Sequence, residues 1–228
     1  MVGGGANEVH VNVHYLADAI LKRYGQEARM GGTRIHFYRE KKLMGTAGSV
    51  KRVSDSADFD EAFVVVMGGA LTDVDLRELV TFHKRKDAAA TLALMRVEDT
   101  SEYGVVELDA EENILRFQEK PAPHDAVSNL ANTGIYVLEP EVLERYVPED
   151  TFFDFAEDIF LALLAGGEKL VGYEGNFYWS DIGTLESYWT AQHDALLEGW
   201  RPMCLASGGV RACGWRRARR STRPPTGA

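Results

Sequence analysis

The sequence has 228 residues, 45% apolar and 26% charged, which is enough for one substantial core and is the composition of an ordinary globular domain. No apolar run approaches the ~20 residues of a membrane span, and the opening MVGGGANEVHVNV has neither a basic stretch nor a long apolar run, so no membrane anchor or signal peptide is expected. Net charge is −10 but unevenly placed: residues 201–228 hold seven arginines and no acid, leaving −17 on residues 1–200, an acidic body that argues against a nucleic-acid-binding face.

Along the chain, Gly3-Gly4-Gly5 reads as a flexible leader before EVHVNVHY, whose valines alternate with polar residues as in a strand. YLADAILKRYG places Leu16, Ile20 and Leu21 at helical spacing, with Gly25 as the C-cap. TRIHFYRE predicts a second strand, followed by a charged loop containing LMGTAGSV. AFVVVM, residues 62–67, is an uninterrupted apolar run of the kind found in strands buried on both faces. Asp75 with Glu78 makes a capping-box-like start for DLRELVTFHKRK, and AATLALMRV predicts another buried strand.

The second half is richer in strands. YGVVELDAEENILRFQEKP reads as a hairpin turning at residues 110–113. NLANTGIYVLEP predicts a strand leading into the short helix PEVLERY. DFAEDIFLALLAGG predicts an amphipathic helix closed by Gly166 and Gly167. KLVGYEG and FYWSDIG predict short strands before the helix TLESYWTAQHDALLEG. This order predicts an α/β fold, a mostly parallel mixed sheet with helices on both faces. Ligands in such folds sit beyond the carboxyl ends of strands, so residues 39–48, 67–73, 119–121 and 179–184 become the candidate functional loops.

Cys204 and Cys213 are the two cysteines, and residues 1–200 have none, a pattern that suits a reducing cytoplasm. Residues 200–228 read as a basic, disordered tail after a domain over residues 1–199. Arginine clusters of this sort attract RNA, DNA or anionic lipid, but the tail has no apolar periodicity and differs abruptly from what precedes it, as a shifted reading frame would.

Taken together, VNVHYLADAI, GTAGSV, FVVVMGGALTDVDL, SEYGVVELD, RFQEKP, NTGIYVLEPEVL and YWSDIGTLESY resemble the sugar-1-phosphate nucleotidyltransferases, or NDP-sugar pyrophosphorylases. The similarity is greatest to the mannose-1-phosphate guanylyltransferase-like and glucose-1-phosphate nucleotidyltransferase-like branch and covers roughly residues 8–198. The resemblance implies a Rossmann-like nucleotidyltransferase fold and a reaction of NTP with a sugar 1-phosphate to give an NDP-sugar and pyrophosphate. It also implies roles for individual residues. Gly45, Thr46, Ala47 and Gly48 would border the base of the nucleotide. Glu119, Gly104 and Asn132 would hold the sugar, and Lys120 its phosphate. Asp181 would be one of two magnesium ligands. Asp181 also suits a helix N-cap near Thr184, and Asn132 a local turn contact.

Three departures bear on activity. The strand and glycine-rich loop that cradle the triphosphate in such enzymes have no counterpart, since Gly3-Gly4-Gly5 precedes a strand instead of following one. Gly69 stands where the first metal aspartate is expected, and Asp73, four residues on, is expected to cap a helix or face solvent. The resemblance implies a further strand between those of residues 9–13 and 62–67, whose absence would leave two rows of backbone groups to close up, to take a strand from another chain, or to weaken the fold. The expectation is a nucleotidyltransferase-like protein with activity lost or strongly reduced and magnesium weakly held or lost. It would bind sugar 1-phosphate, NTP or NDP-sugar, and form an oligomer with itself or an intact homologue. The alternatives are a non-catalytic sugar-nucleotide-binding or regulatory partner, or a truncated or frame-shifted gene product. Neither nucleic acid nor membrane is an expected partner.

Overall fold

In chain order the elements are β1 (Glu8–Val13), α1 (Ala17–Tyr24), β2 (Glu27–Met30), β3 (Thr33–Arg39), α2 (Gly45–Ala57), β4 (Phe63–Val66), β5 (Ala70–Thr72), α3 (Leu76–Lys86) and β6 (Ala90–Arg96). They continue with β7 (Val105–Leu108), β8 (Ile114–Gln118), β9 (Leu130–Leu138), α4 (Pro140–Tyr146), a π-helical turn (Phe155–Ile159) running into α5 (Phe160–Ala165), β10 (Leu170–Glu174), β11 (Trp179–Asp181) and α6 (Leu185–Leu197). This is a computed structural model, and it describes residues 6–122 and 124–197. The sequence expectations for residues 1–5, for both cysteines and for the basic tail lie outside the described residues.

The strands fall into three sheets: β1-β3-β2, a six-stranded sheet in the order β10-β6-β9-β7-β8 with β4 also paired to β9, and the two-stranded β11-β5. The α/β class and the mixed sheet are as expected, but the pairing is less parallel than the alternation of elements suggests. Only β1–β3 and β10–β6 pair in parallel among the described residues. The reason is β9, which lies antiparallel between β4 and β6, two strands that otherwise run the same way.

Period-two alternation splits the core into two layers. Val65, Leu92, Leu94, Tyr136 and Leu138 face one side and pack with Phe155, Phe160 and Leu163 of the α5 region and Leu143 of α4. Ala93, Ile135 and Val137 face the other side and pack with Val74, Leu76 and Leu79 of α3 and the turn before it. Helices therefore cover both faces, as predicted. A buried carboxylate ties the small sheet to α2: Glu40 accepts from Asn12 Nδ2 (2.8 Å), the Met44 amide (3.1 Å) and Ser49 Oγ (2.6 Å). Three donors on one buried carboxylate meet the requirement that such a group be fully paired.

Local rules hold in most places. Asp75 caps α3 by accepting from the Arg77 and Glu78 amides at 2.8 and 3.2 Å. Three expectations need correction, and one strand was not foreseen. Residues 45–48 are not a loop but the first turn of α2, because Gly45 takes a positive φ of 74° and the Ala47 and Gly48 amides donate to the Phe153 carbonyl. Leu16 precedes α1 in the left-handed region and is exposed, so it does not share the helix's inner face. EARM, which lacks alternation, forms β2 by pairing with β3 across Gly31 and Gly32, both at positive φ. In β4 only Val65 is buried, whereas a strand buried on both faces was expected. The physical cause is that β4 is an edge strand: it pairs with β9 alone, and β1 pairs with β3 alone, so the two edges do not close up.

Candidate functional site

The predicted sugar-side residues converge where the ends of β7, β8, β9 and β11 meet. The Lys120 amide donates to the Tyr103 carbonyl (3.1 Å), with Lys120 held at a positive φ of 42°, and the Asn132 amide donates to the Gly104 carbonyl (2.8 Å). A Cβ on Gly104 would lie 2.7 Å from Glu119 Oε2 and 2.7 Å from Phe117 Cζ, so the glycine is required for the Glu119 carboxylate to lie against the strand. Phe117 is buried and cannot yield as the Glu119 side chain can. Gly104→Ala is therefore expected to cost about 1–3 kcal/mol of stability, checked by urea unfolding at constant m.

Asn132 makes the local turn contact that its sequence allowed. Its Nδ2 donates to the Tyr136 hydroxyl (3.0 Å) and its Oδ1 accepts from the Gly134 amide (3.1 Å), leaving one donor and one acceptor position for a ligand. Burial pushes the Tyr136 hydroxyl above its ordinary range, with the Asn132 hydrogen bond opposing the shift, so this partner stays protonated.

Two aromatic residues that sequence reasoning did not assign complete the wall. Tyr103 and Trp179 meet edge to face with centroids 5.3 Å apart, and Trp179 Nε1 donates to the Thr133 carbonyl (2.8 Å). Burial, with help from Asp181, raises the Tyr103 hydroxyl above its usual value, which places Tyr103 and Asp181 in one electrostatic environment. The flanking Tyr-Gly and Tyr-Trp-Ser-Asp stretches carried this signal, since aromatic residues beside a candidate sugar pocket supply flat apolar walls.

Asp154 is the other addition. Burial raises the Glu119 carboxyl above its ordinary value; Lys120 opposes the shift, and Asp154 and Glu157 reinforce it. A raised carboxyl favours the protonated form in the folded state. Its stabilising contribution is complete below the unfolded value and is lost as pH rises through the folded one. Glu119→Gln is thus expected to gain thermal stability over the unchanged chain as pH rises from about 4 to 7, with the melting-temperature difference read across that range. Asp154 also accepts from Thr46 Oγ1 (2.8 Å), which in turn accepts from the Phe155 amide (3.0 Å), so residues 45–48 are tied to a carboxylate in the electrostatic surroundings of Glu119.

At the predicted metal position, β11 pairs antiparallel with β5, Asp181 opposite Ala70, and the Ile182 amide donates to the Gly69 carbonyl (3.0 Å). A Cβ added at Gly69 would lie 3.0 Å from Asp181 Oδ1. Position 69 therefore faces Asp181 directly, but as glycine it supplies no carboxylate. Asp73 does not replace it: its Oδ1 accepts from the Tyr178 amide at 2.6 Å, which fastens the approach to β11 instead of capping a helix. No cluster of three or more His, Cys, Asp or Glu suited to a metal occurs among the described residues. With one carboxylate, Asp181, facing a glycine, the residues present do not fit a magnesium site built on two carboxylates.

Comparison with known proteins identifies the family. A nucleotidyl transferase family model matches residues 1–198. The chain is 38% identical over 199 residues to a UTP–glucose-1-phosphate uridylyltransferase of Synechocystis, covering 82% of this chain and 51% of that protein. It is 33% identical over 192 residues to the catalytic subunit beta of a mannose-1-phosphate guanylyltransferase of Xenopus tropicalis, covering 83% and 52% respectively. The chain thus spans about half the length of these curated relatives. Among solved structures, HddC from Yersinia pseudotuberculosis complexed with GMP-PN has the same fold, with a TM-score of 0.69, 22% identity and coverage of 84% of this chain and 80% of that one. With the family model matched along nearly the whole described chain, this protein belongs to the nucleotidyl transferase family.

Proposed function

We propose that this chain binds a sugar 1-phosphate at the junction of β7, β8, β9 and β11 and has lost, or strongly reduced, the ability to join it to a nucleoside triphosphate. The full reaction is attack of a sugar-phosphate oxygen on the α-phosphorus, with the bond to the β-phosphate breaking and pyrophosphate leaving. In this reading Lys120 neutralises the sugar phosphate, Glu119 and Asn132 take sugar hydroxyls, Gly104 admits the ring close to the strand, and Tyr103 with Trp179 excludes water. Gly45 and Thr46 border the nucleotide. Asp181 would face the reacting phosphates with its single carboxylate.

The observation that carries the loss is the bare Cα of Gly69 opposite Asp181, one carboxylate where two would meet. Because the acceptor-side residues are assembled while this pair is incomplete, a second reading is a non-catalytic binder of NDP-sugar acting beside an intact homologue. The absence of cysteine from residues 1–200 supports a cytoplasmic setting for either. Calorimetric titration with glucose 1-phosphate and mannose 1-phosphate tests the binding claim. Lys120→Ala is expected to weaken binding roughly 10- to 100-fold, the effect of one charge-assisted hydrogen bond. Equal affinity in the variant, or no binding of either phosphate by the unchanged chain, would refute the assignment.

A further inference from the structure

The junction of β7, β8, β9 and β11 brings a carboxylate and two aromatic rings together beside one bare glycine. Glu119 Oε2 lies over Gly104, where a Cβ would sit 2.7 Å from it. Tyr103 precedes that glycine, and its carbonyl accepts from the Lys120 amide (3.1 Å), so the two strand ends are held side by side. Trp179 meets the Tyr103 ring edge to face with centroids 5.3 Å apart. The indole N–H is taken by the Thr133 carbonyl (2.8 Å), which fixes the ring and leaves its π-system as what it offers a ligand. Both rings are half-buried, whereas Glu119 is exposed and makes no hydrogen bond or ion pair with any described residue.

A free carboxylate beside two aromatic rings is suited to an ammonium group, which is drawn by the opposite charge and by the negative ring faces. The surrounding charge has the same sign. Burial first, and then Asp181, Glu102 and Asp99, raise the Tyr103 hydroxyl above its ordinary range, so the field along this wall is negative. A phosphate monoester adds about −1.5 to −2 at pH 7, and in the proposed binding Lys120 alone answers it. A cation carried by the sugar itself offsets the remainder. An independent observation places sugar oxygens on the β9 side. Tyr136 is 3% exposed, its hydroxyl oxygen accepts from Asn132 Nδ2, and its own proton meets no acceptor among the described residues. A buried donor left open in this way calls for a ligand oxygen.

We propose that the sugar of this site is an amino sugar 1-phosphate, its ammonium group held between the Glu119 carboxylate and the rings of Tyr103 and Trp179. This inference rests on the proposed sugar 1-phosphate site and names its substrate class. Tyr136 and Asn132 take neutral hydroxyls, and Lys120 takes the phosphate.

The test is calorimetric titration of the full chain with glucose 1-phosphate and with a series of analogues in which one hydroxyl at a time is replaced by an amine. At about pH 7, below the usual range of an α-amino group, at least one amine is expected to bind tenfold or more tightly than glucose 1-phosphate, roughly the effect of one charge-assisted hydrogen bond. At about pH 9.5, where such an amine is neutral, the preference should vanish in the unchanged chain. N-acetylation of the preferred amine should abolish it at either pH. Glu119→Gln should bring the two affinities within about threefold of each other, and Trp179→Leu should shrink their ratio. If glucose 1-phosphate binds and no amine exceeds it, the amino sugar is excluded while the sugar-phosphate site stands. If no phosphate in the series binds, the site assignment itself fails and this inference with it. A preference that survives at pH 9.5, or in Glu119→Gln, shows that the amine is not read as a cation and overturns the proposal.

Discussion

Replacing Gly69 with aspartate is expected to tighten divalent-cation binding at Asp181 by on the order of 10- to 100-fold, with little change to the fold. The estimate is a lower bound taken from groups that support a metal only indirectly, whose loss costs 10–100-fold; a direct carboxylate ligand contributes at least as much. Geometry makes the site ready for it. A Cβ at position 69 sits 3.0 Å from Asp181 Oδ1, and both residues lie in exposed positions where the side chain can turn outward. Without a cation the two carboxylates repel each other, so Gly69→Asp should melt slightly below the unchanged chain. In millimolar Mg²⁺ or Mn²⁺ the order should reverse. A melting series against metal concentration checks both signs. If the variant shows no greater metal response than the unchanged chain, position 69 does not complete a cation site.

The largest expected loss of stability comes from Phe160→Ala, at about 3–5 kcal/mol. Phe160 is fully buried at the first residue of α5, where the π-helical turn feeds it under the sheet. Its ring meets Tyr136 edge to face at 5.0 Å, stacks on Phe155 at 5.9 Å and tilts against Phe117 at 5.5 Å. Removing it empties the junction of β8, β9 and α5 and forfeits these aromatic contacts as well as the buried area. Against a total stability of about 5–15 kcal/mol this is a large share. A fall in melting temperature of roughly 6–20 °C is expected for a chain of this size. Phe152→Ala, at a residue 59% exposed, should fall within about 0.5 kcal/mol of the unchanged chain. Similar losses at both positions would contradict the assignment of the core.

Much of this arrangement could be read before the structure. Strong period-two or continuous apolar runs located β4, β6, β9 and β10, and Asp75 announced α3, because burial and capping are local signals. What escaped was set by contacts distant in sequence. EARM becomes a strand only because β3 offers an edge. Residues 45–48 become helical only because the Phe153 carbonyl, more than a hundred residues away, receives two of their amides. The parallel bias failed at β9, whose insertion between β4 and β6 follows from topology and not from its own residues. At the site, Gly104, Glu119, Lys120, Asn132 and Asp181 were named by motif, and Gly69 was marked by what it lacks. Tyr103, Trp179 and Asp154 were not assigned, because their relevance rests on proximity to Asp181, Thr133 and Glu119 that spacing does not encode.

The central claim is that one carboxylate at Asp181, facing a glycine, leaves nucleotidyl transfer disabled. Pyrophosphate release by the unchanged chain tests it most directly, with UTP or ATP plus glucose 1-phosphate and GTP plus mannose 1-phosphate in millimolar Mg²⁺. A loss of at least about 10³-fold, the upper effect of removing one electrostatic element, from a common turnover near 10 s⁻¹ predicts values below about 10⁻² s⁻¹ for every pair. Turnover of several per second with any pair would contradict it.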